Sequence, residues 1–197
     1  MEAATRSNNR NDLLLDSAAE LFATRGYQAT TMRDIAKNCG MMAGSIYYHY
    51  PKKEALLVAV YEEGVRQLSE RVRDVLAQDG DPFERLEKMF AAHIEMIIEP
   101  TAYASVIIRI LPDAVPSAQH DLIKLRDTYE TILRELVEAL PLPDEIDRGL
   151  LRLFLIGAVN HIQVWHRPGG ASPAQIAEEL MRLVRCPAQR QQQGANI

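Results

Sequence analysis

The sequence predicts an all-α protein with an amino-terminal three-helix head, a connecting helix and a larger helical body. Three observations carry this. Apolar residues recur at helical spacing along nearly the whole chain, and no alternating strand pattern of useful length appears. Caps, prolines and glycines punctuate the chain where helices should start and stop. The segment 31–54 reads as two short helices around a glycine turn, followed by a basic lead into a third, which is the form of a helix-turn-helix.

The elements follow in order. Leu14, Ala18, Leu21 and Phe22 stripe a helix over about 9–25, which ends at Arg25-Gly26-Tyr27. Thr31 caps a helix over 32–38, with Asp34 completing a capping-box pattern. Ile35, Ala36 and Cys39 share one side of that helix, and Gly40 fits the left-handed position that ends it. A short helix over 43–49 carries Ala43, Gly44, Ser45, Ile46, Tyr47, Tyr48 and His49. The next, 53–78, has no proline and a single glycine, Gly64, so it is a continuous rod able to transmit a tilt. Asp81-Pro82-Phe83-Glu84 opens a helix over 82–98, and Pro100 and Pro112 bracket another over 102–111. A helix over 117–140 stops at Pro141. Asp144, with Asp147, begins one over 144–166 that Pro168-Gly169-Gly170 ends. Ser172-Pro173 begins the last, 173–185. The expected domains are a head at 1–52, a body at 53–187 and a disordered glutamine-rich tail at 188–197.

Composition narrows the function classes. Of 197 residues, 47% are apolar, enough for a substantial core, and 25% are charged. Cys39 and Cys186 match no metal or redox spacing, so no disulfide framework is expected and a reducing cytoplasm is the natural compartment. The polar amino terminus lacks the apolar core of a signal peptide, and no apolar run approaches the roughly 18 residues of a membrane span. The net charge of −5 is unevenly spread: residues 1–56 hold seven Lys/Arg against six Asp/Glu, leaving fifteen against twenty-one for the rest. The head is thus spared the body's acidity, and nucleic-acid binding depends on that local field.

At the head the chain resembles the TetR family of bacterial transcriptional regulators. The resemblance is carried by Thr30, Thr31, Asp34, Ile35, Ala36, Gly40, Gly44, Tyr47, His49, Tyr50, Lys53, Glu54, Ala55 and Leu56, in register with that family's DNA-binding signature. It covers about the first quarter of the chain. It implies a ligand-responsive regulator, most often a repressor, that holds two heads one DNA turn apart (about 34–36 Å) on a pseudo-palindromic operator.

The resemblance also implies residue roles. Thr31 and Arg33 stand at the front of the second helix, where a phosphate is favoured, and Lys53 is a further phosphate contact. Tyr47 and His49 position the third helix against the DNA backbone, which fixes register without reading sequence. A plain alternative for Tyr47 and Ile46 is packing in the head's core, and for His49 a structural role. Base readout falls to Met42, Ala43, Gly44, Ser45 and Tyr48. Met42 and Ala43 depart from the polar or basic residues common there; they can touch thymine methyls but cannot bond guanine or adenine edges. Lys52 replaces a frequent cap residue and adds a cation.

In the body, the helix over 144–166 is apolar on more than one face. Gly157, Ala158, His161 and Trp165, with Ile176, Leu180 and Leu183 of the final helix, are expected to form a homodimer seam; ordinary monomer core is the alternative. A ligand pocket is expected from Met89, Phe90, His93, Ile97, Tyr103, Ile107, Tyr129 and Phe154, with His93 and Tyr103 as its polar points. Trp165-His166-Arg167-Pro168-Gly169-Gly170 resembles a turn of the TetR branch that governs lipid, steroid and acyl-coenzyme A catabolism, which makes acyl-coenzyme A, fatty acid or steroid the expected inducer class.

The competing reading is a helical enzyme or adaptor with a vestigial head. Its support is thin: the five histidines make no metal-ligand spacing, and neither a nucleophile elbow nor a phosphate loop is present. No catalytic residue, metal or cofactor is assigned.

Overall fold

The computed structural model describes residues 2–77 and 80–194, with side chains described over 10–77 and 80–185. The helices are α1 (Glu2–Arg25), α2 (Met32–Asn38), α3 (Ala43–His49), α4 (Lys53–Leu76), α5 (Pro82–Ile98), α6 (Ala102–Arg109), α7 (Gln119–Glu138), α8 (Arg148–Asn160), α9 (Ile162–Trp165) and α10 (Pro173–Gly194), with a 3-10 turn at Pro112–Ala114. No strand occurs among the described residues. The all-α expectation holds. By packing, the chain falls into two units, 1–67 with 100–127 and 68–99 with 128–197, so α4 and α7 each contribute to both.

In the first unit α1 packs against α2 and α6, and α2 against α3. Its core is built from Leu14, Ala18, Phe22, Ile35, Ile46, Leu56, Leu57, Val60, Tyr61, Val106 and Leu122, all buried. Three α1 residues of that set stand at helical spacing, which is why this helix forms and which face it buries. Thr30 is wholly buried and its hydroxyl reaches the carbonyls of Gly26 at 2.9 Å and Leu21 at 3.2 Å. Gly26 and Gly40 have φ of +85° and +65°, so both turns use the left-handed backbone that glycine adopts most readily.

In the second unit α5 packs along α10 and touches α8 and α9. Leu86, Met89, Phe90, Ile94, Leu133, Val137, Val159, Ile162, Ala177 and Met181 fill the centre. The cap at Asp81 is formed as expected: its carboxylate accepts from the Phe83 and Glu84 amides, and the Glu84 carboxylate accepts from the Asp81 amide.

The segment 144–166 differs from expectation at both ends. Asp147, not Asp144, is the N-cap, accepting from the Leu150 amide at 2.9 Å, so α8 begins at Arg148. The helix then breaks at His161 into α9. The final helix is longer than expected, continuing to Gly194; residues 195–197 of the expected tail, and the side chains from 186 onward, lie outside the described residues. Among the described residues no helix is long and apolar enough to cross a membrane.

Candidate functional site

The helix-turn-helix is held from beneath. Ile46 of α3 is wholly buried, as is Ile35 of α2, and α2 packs against both α1 and α3. The α2 cap is closed: the Asp34 amide donates to Thr31 Oγ1 at 3.2 Å, while Asp34 Oδ2 accepts from the Thr31 amide at 2.9 Å and its hydroxyl at 2.6 Å. Those hydrogen bonds from Thr31, side chain first and then backbone, hold the Asp34 carboxyl below the usual range.

Around this base a surface faces outward. Thr31, Arg33, Met42, Gly44, Ser45, Tyr47, Tyr48, His49 and Lys52 are exposed, while Ala43 and Lys53 are half-buried. Tyr47 is 48% exposed, so core packing is not its role. Tyr48 meets His49 edge-on at 5.3 Å between ring centres. Arg25 and Lys37 are also exposed beside this surface, and sequence reasoning counted them only as charge.

Lys53 is more tied down than a phosphate contact requires. Its Nζ donates to the carbonyls of Tyr27 at 2.8 Å and Thr30 at 2.9 Å and sits 4.2 Å from the centre of the Tyr27 ring. Two of its three N–H donors therefore lock the turn after α1 onto the start of α4. Below it the Tyr27 hydroxyl is buried beside the Glu54 carboxylate. Burial first, then the nearby Glu54 charge, pushes Tyr27 up to about 12.

Of the expected ligand residues, Tyr103 and Ile107 belong to the first unit and the others to the second. Tyr103 is buried and donates to Asp16 Oδ1 on α1 at 2.8 Å. The Ile107 carbonyl accepts from the Tyr61 hydroxyl and the Arg126 guanidinium, each at 3.4 Å. In the second unit Met89, Phe90, His93, Ile97 and Tyr129 are buried. His93 sits between two partners, with Nδ1 at 2.6 Å from Tyr129 Oη and Nε2 at 3.0 Å from Asn160 Oδ1. Burial lowers His93 to about 4, against a smaller upward pull from Asn160, so the ring is neutral: Nε2–H donates to Asn160 and Nδ1 accepts from Tyr129. Asn160 was not anticipated, since a lone asparagine at a helix end carries no distinguishing pattern.

Phe154, expected to line the ligand pocket, is 72% exposed on α8. It lines a groove of about 310 Å³ with Leu142, Ile146, Leu151, Ala158 and Leu183 among its neighbours. The helical register explains this: Leu155, Ile156 and Val159 are buried, and at about 100° per residue Phe154 points away from the face they share. Gly157, Ala158, His161, Trp165 and Leu183 of the expected seam are exposed on the same two helices and α9, and Ile176 and Leu180 are half-buried. Leu150 and Leu153, each about half exposed, extend the apolar face.

Comparison with known proteins agrees with this geometry. Residues 14–60 match the model for bacterial regulatory proteins of the tetR family, and residues 79–186 match a tetracyclin repressor-like C-terminal domain. The HTH-type transcriptional repressor KstR2 of Mycobacterium tuberculosis is 30% identical over 92% of this chain and 94% of its own length. A crystal structure of AibR in complex with isovaleryl coenzyme A and operator DNA superposes with a TM-score of 0.72 at 25% identity, covering 88% of this chain and 97% of that one. The structure of the ketosteroid transcriptional regulator KstR2 of M. tuberculosis superposes at 0.66 with 26% identity, over 89% and 92% of the two chains. The two family models between them span both the outward-facing helix-turn-helix and the helices that carry the apolar face, and the chain is a member of the TetR family of bacterial regulatory proteins.

Proposed function

We infer that this protein is a ligand-responsive, DNA-binding transcriptional repressor that works as a cytoplasmic homodimer and catalyses no reaction. The observation that carries the reading is the exposed face of α3 over a fixed base: Ile46 is wholly buried while Met42, Tyr47 and Tyr48 point outward. Arg33 and Lys52, exposed, serve as phosphate partners; Thr31, Tyr47 and His49 hold register on the backbone. Lys53 acts chiefly by fixing the start of α4, leaving one N–H for a phosphate.

The second copy covers the apolar face of α8, α9 and α10. Phe154, Gly157, Ala158, His161, Trp165, Leu180 and Leu183 form it, and a two-fold pairing matches a symmetric operator. The inducer is a partly hydrophobic small molecule of the acyl-coenzyme A, fatty acid or steroid class. Support comes from the relatives, one seen with isovaleryl coenzyme A and one described as a ketosteroid regulator. Met89, Phe90, His93, Ile97 and Tyr129, with Tyr103 and Ile107, remain the residues proposed for its control.

Ligand and operator then oppose each other reciprocally, because each shifts the same equilibrium. The test is operator selection from random duplexes, followed by titration with isovaleryl coenzyme A, longer acyl esters, fatty acids and steroids. At least one class should weaken DNA binding. Undiminished affinity with a ligand bound at saturation would sink the mechanism.

A further inference from the structure

Gly44 has no explanation inside the protein. Its φ is not positive, unlike Gly26 and Gly40, and a Cβ built there would meet nothing within 4 Å. Glycine inside a helix is less favourable than alanine, so the chain's own packing favours alanine at this position. Gly64 makes the contrast, since a Cβ there would stand 2.8 Å from Ile107 Cδ1.

The place of Gly44 on α3 is informative. At about 100° per residue, positions 44 and 48 flank the line directly opposite buried Ile46. Tyr48 is 86% exposed and Met42, the residue just before the helix, is 80% exposed; no large apolar side chain among the described residues is more exposed. Side chains on a helix lean toward its amino terminus, so Tyr48, one turn on, shares the exposed side of α3 with Gly44, where the backbone is bare. Among Met42, Ala43, Gly44 and Ser45 only Ser45 carries a hydrogen-bonding side chain. Arg33 and Lys37 on α2, and Lys52 after α3, are exposed cations of the same helix-turn-helix segment.

Resting on the DNA-binding reading above, we propose that the bare backbone at Gly44 lies against base edges in the major groove. Met42 and the Tyr48 ring read thymine C5-methyl groups beside it, so thymine methyls rather than hydrogen bonds specify the centre of each operator half-site. The cations supply attraction without sequence information. Thymine alone among the four bases offers a methyl in that groove, and an apolar side chain can distinguish it. A Cβ at position 44 would push the helix out of reach.

The experiment uses the full chain and duplexes enriched from a random pool. Enriched half-sites should share thymines at fixed positions, and replacing these by deoxyuridine should weaken binding about fourfold per methyl removed. The penalty should shrink in Met42→Ala, as a double-mutant cycle requires of a direct contact. Gly44→Ala should keep or raise the unfolding midpoint while binding falls at least about tenfold, beyond the loss of a single methyl contact. Wild-type affinity in Gly44→Ala, a lowered midpoint, or indifference to uracil each overturns the proposal while leaving the DNA-binding reading intact. A pool in which no sequence is enriched overturns both.

Discussion

Tyr103 on α6 donates its hydroxyl proton to Asp16 on α1 at 2.8 Å, across 87 residues of sequence. Burial, then the Asp16 hydrogen bond and charge, pushes the phenol well above its ordinary value, so the bond persists at any working pH. It ties the helix expected to sense ligand to the helix that supports the head. Tyr103→Phe should lower unfolding free energy by about 1 kcal/mol. It should also alter how strongly ligand changes operator affinity. Denaturant melts and paired DNA titrations check this; unchanged coupling would make the bond purely structural.

Gly64 of α4 stands close against α6. An added Cβ meets Ile107 Cδ1 at 2.8 Å and both Cβ and carbonyl oxygen of Tyr103 at 3.3 Å. The first neighbour is a flexible tip that can swing away, whereas the second is backbone. Gly64→Ala should therefore come out near neutral, a helix-propensity gain offsetting the squeeze. Gly64→Val should cost about 1–3 kcal/mol by overpacking. Equal unfolding midpoints for the two variants would show that α6 gives way freely.

The buried His93 makes stability depend on pH. Its native value is about 4, against 6.5 when unfolded, so on acidification the unfolded chain takes up the proton first. The contribution is complete above about pH 6.5 and is lost as pH falls toward 4, amounting to about 3 kcal/mol. His93→Gln should flatten the stability profile in that window. A slope in the variant as steep as in the wild type would place the dependence elsewhere.

The adjacent lysines 52 and 53 should separate cleanly. Lys53→Met removes two bonds to buried-side carbonyls and should lower stability by about 1–3 kcal/mol. Lys52 is exposed, so Lys52→Ala should leave the melt unchanged and reduce the salt dependence of operator binding by about one phosphate's share. Melting curves with DNA titrations over a salt series read both. Reversed outcomes would exchange the two roles.

Phe154→Glu and Leu183→Glu place charges on a face the single chain leaves uncovered, at 72% and 66% exposure. Each should yield monomers with native helix content, because neither side chain is part of the chain's own core. Sedimentation equilibrium with circular dichroism checks this. A dimer that survives both substitutions would move the pairing surface off α8 and α10.

The head was legible because its signals are local. A capping box, a left-handed glycine and a short apolar stripe each act within a few residues, and Thr31 and Gly40 stand as expected. The body was legible as helices but less so as faces. Asp144 and Asp147 are equal candidates by residue type, and only the geometry of the Leu150 amide decides for Asp147. The break at His161 lies within an uninterrupted apolar pattern, so nothing in the spacing marks it. Phe154 shares its residue type with core aromatics such as Phe90, and only its register on α8 separates an interior ring from an outward one.

The apolar face of α8 and α10 shares no residue with the α2–α3 surface. A chain damaged in α3 would therefore still find a partner. In a cell making both forms, the intact chains would be drawn into mixed pairs that grip one half-site and miss the other. Lesions in the reading helix should accordingly be genetically dominant, while lesions at Phe154 or Leu183 should be recessive.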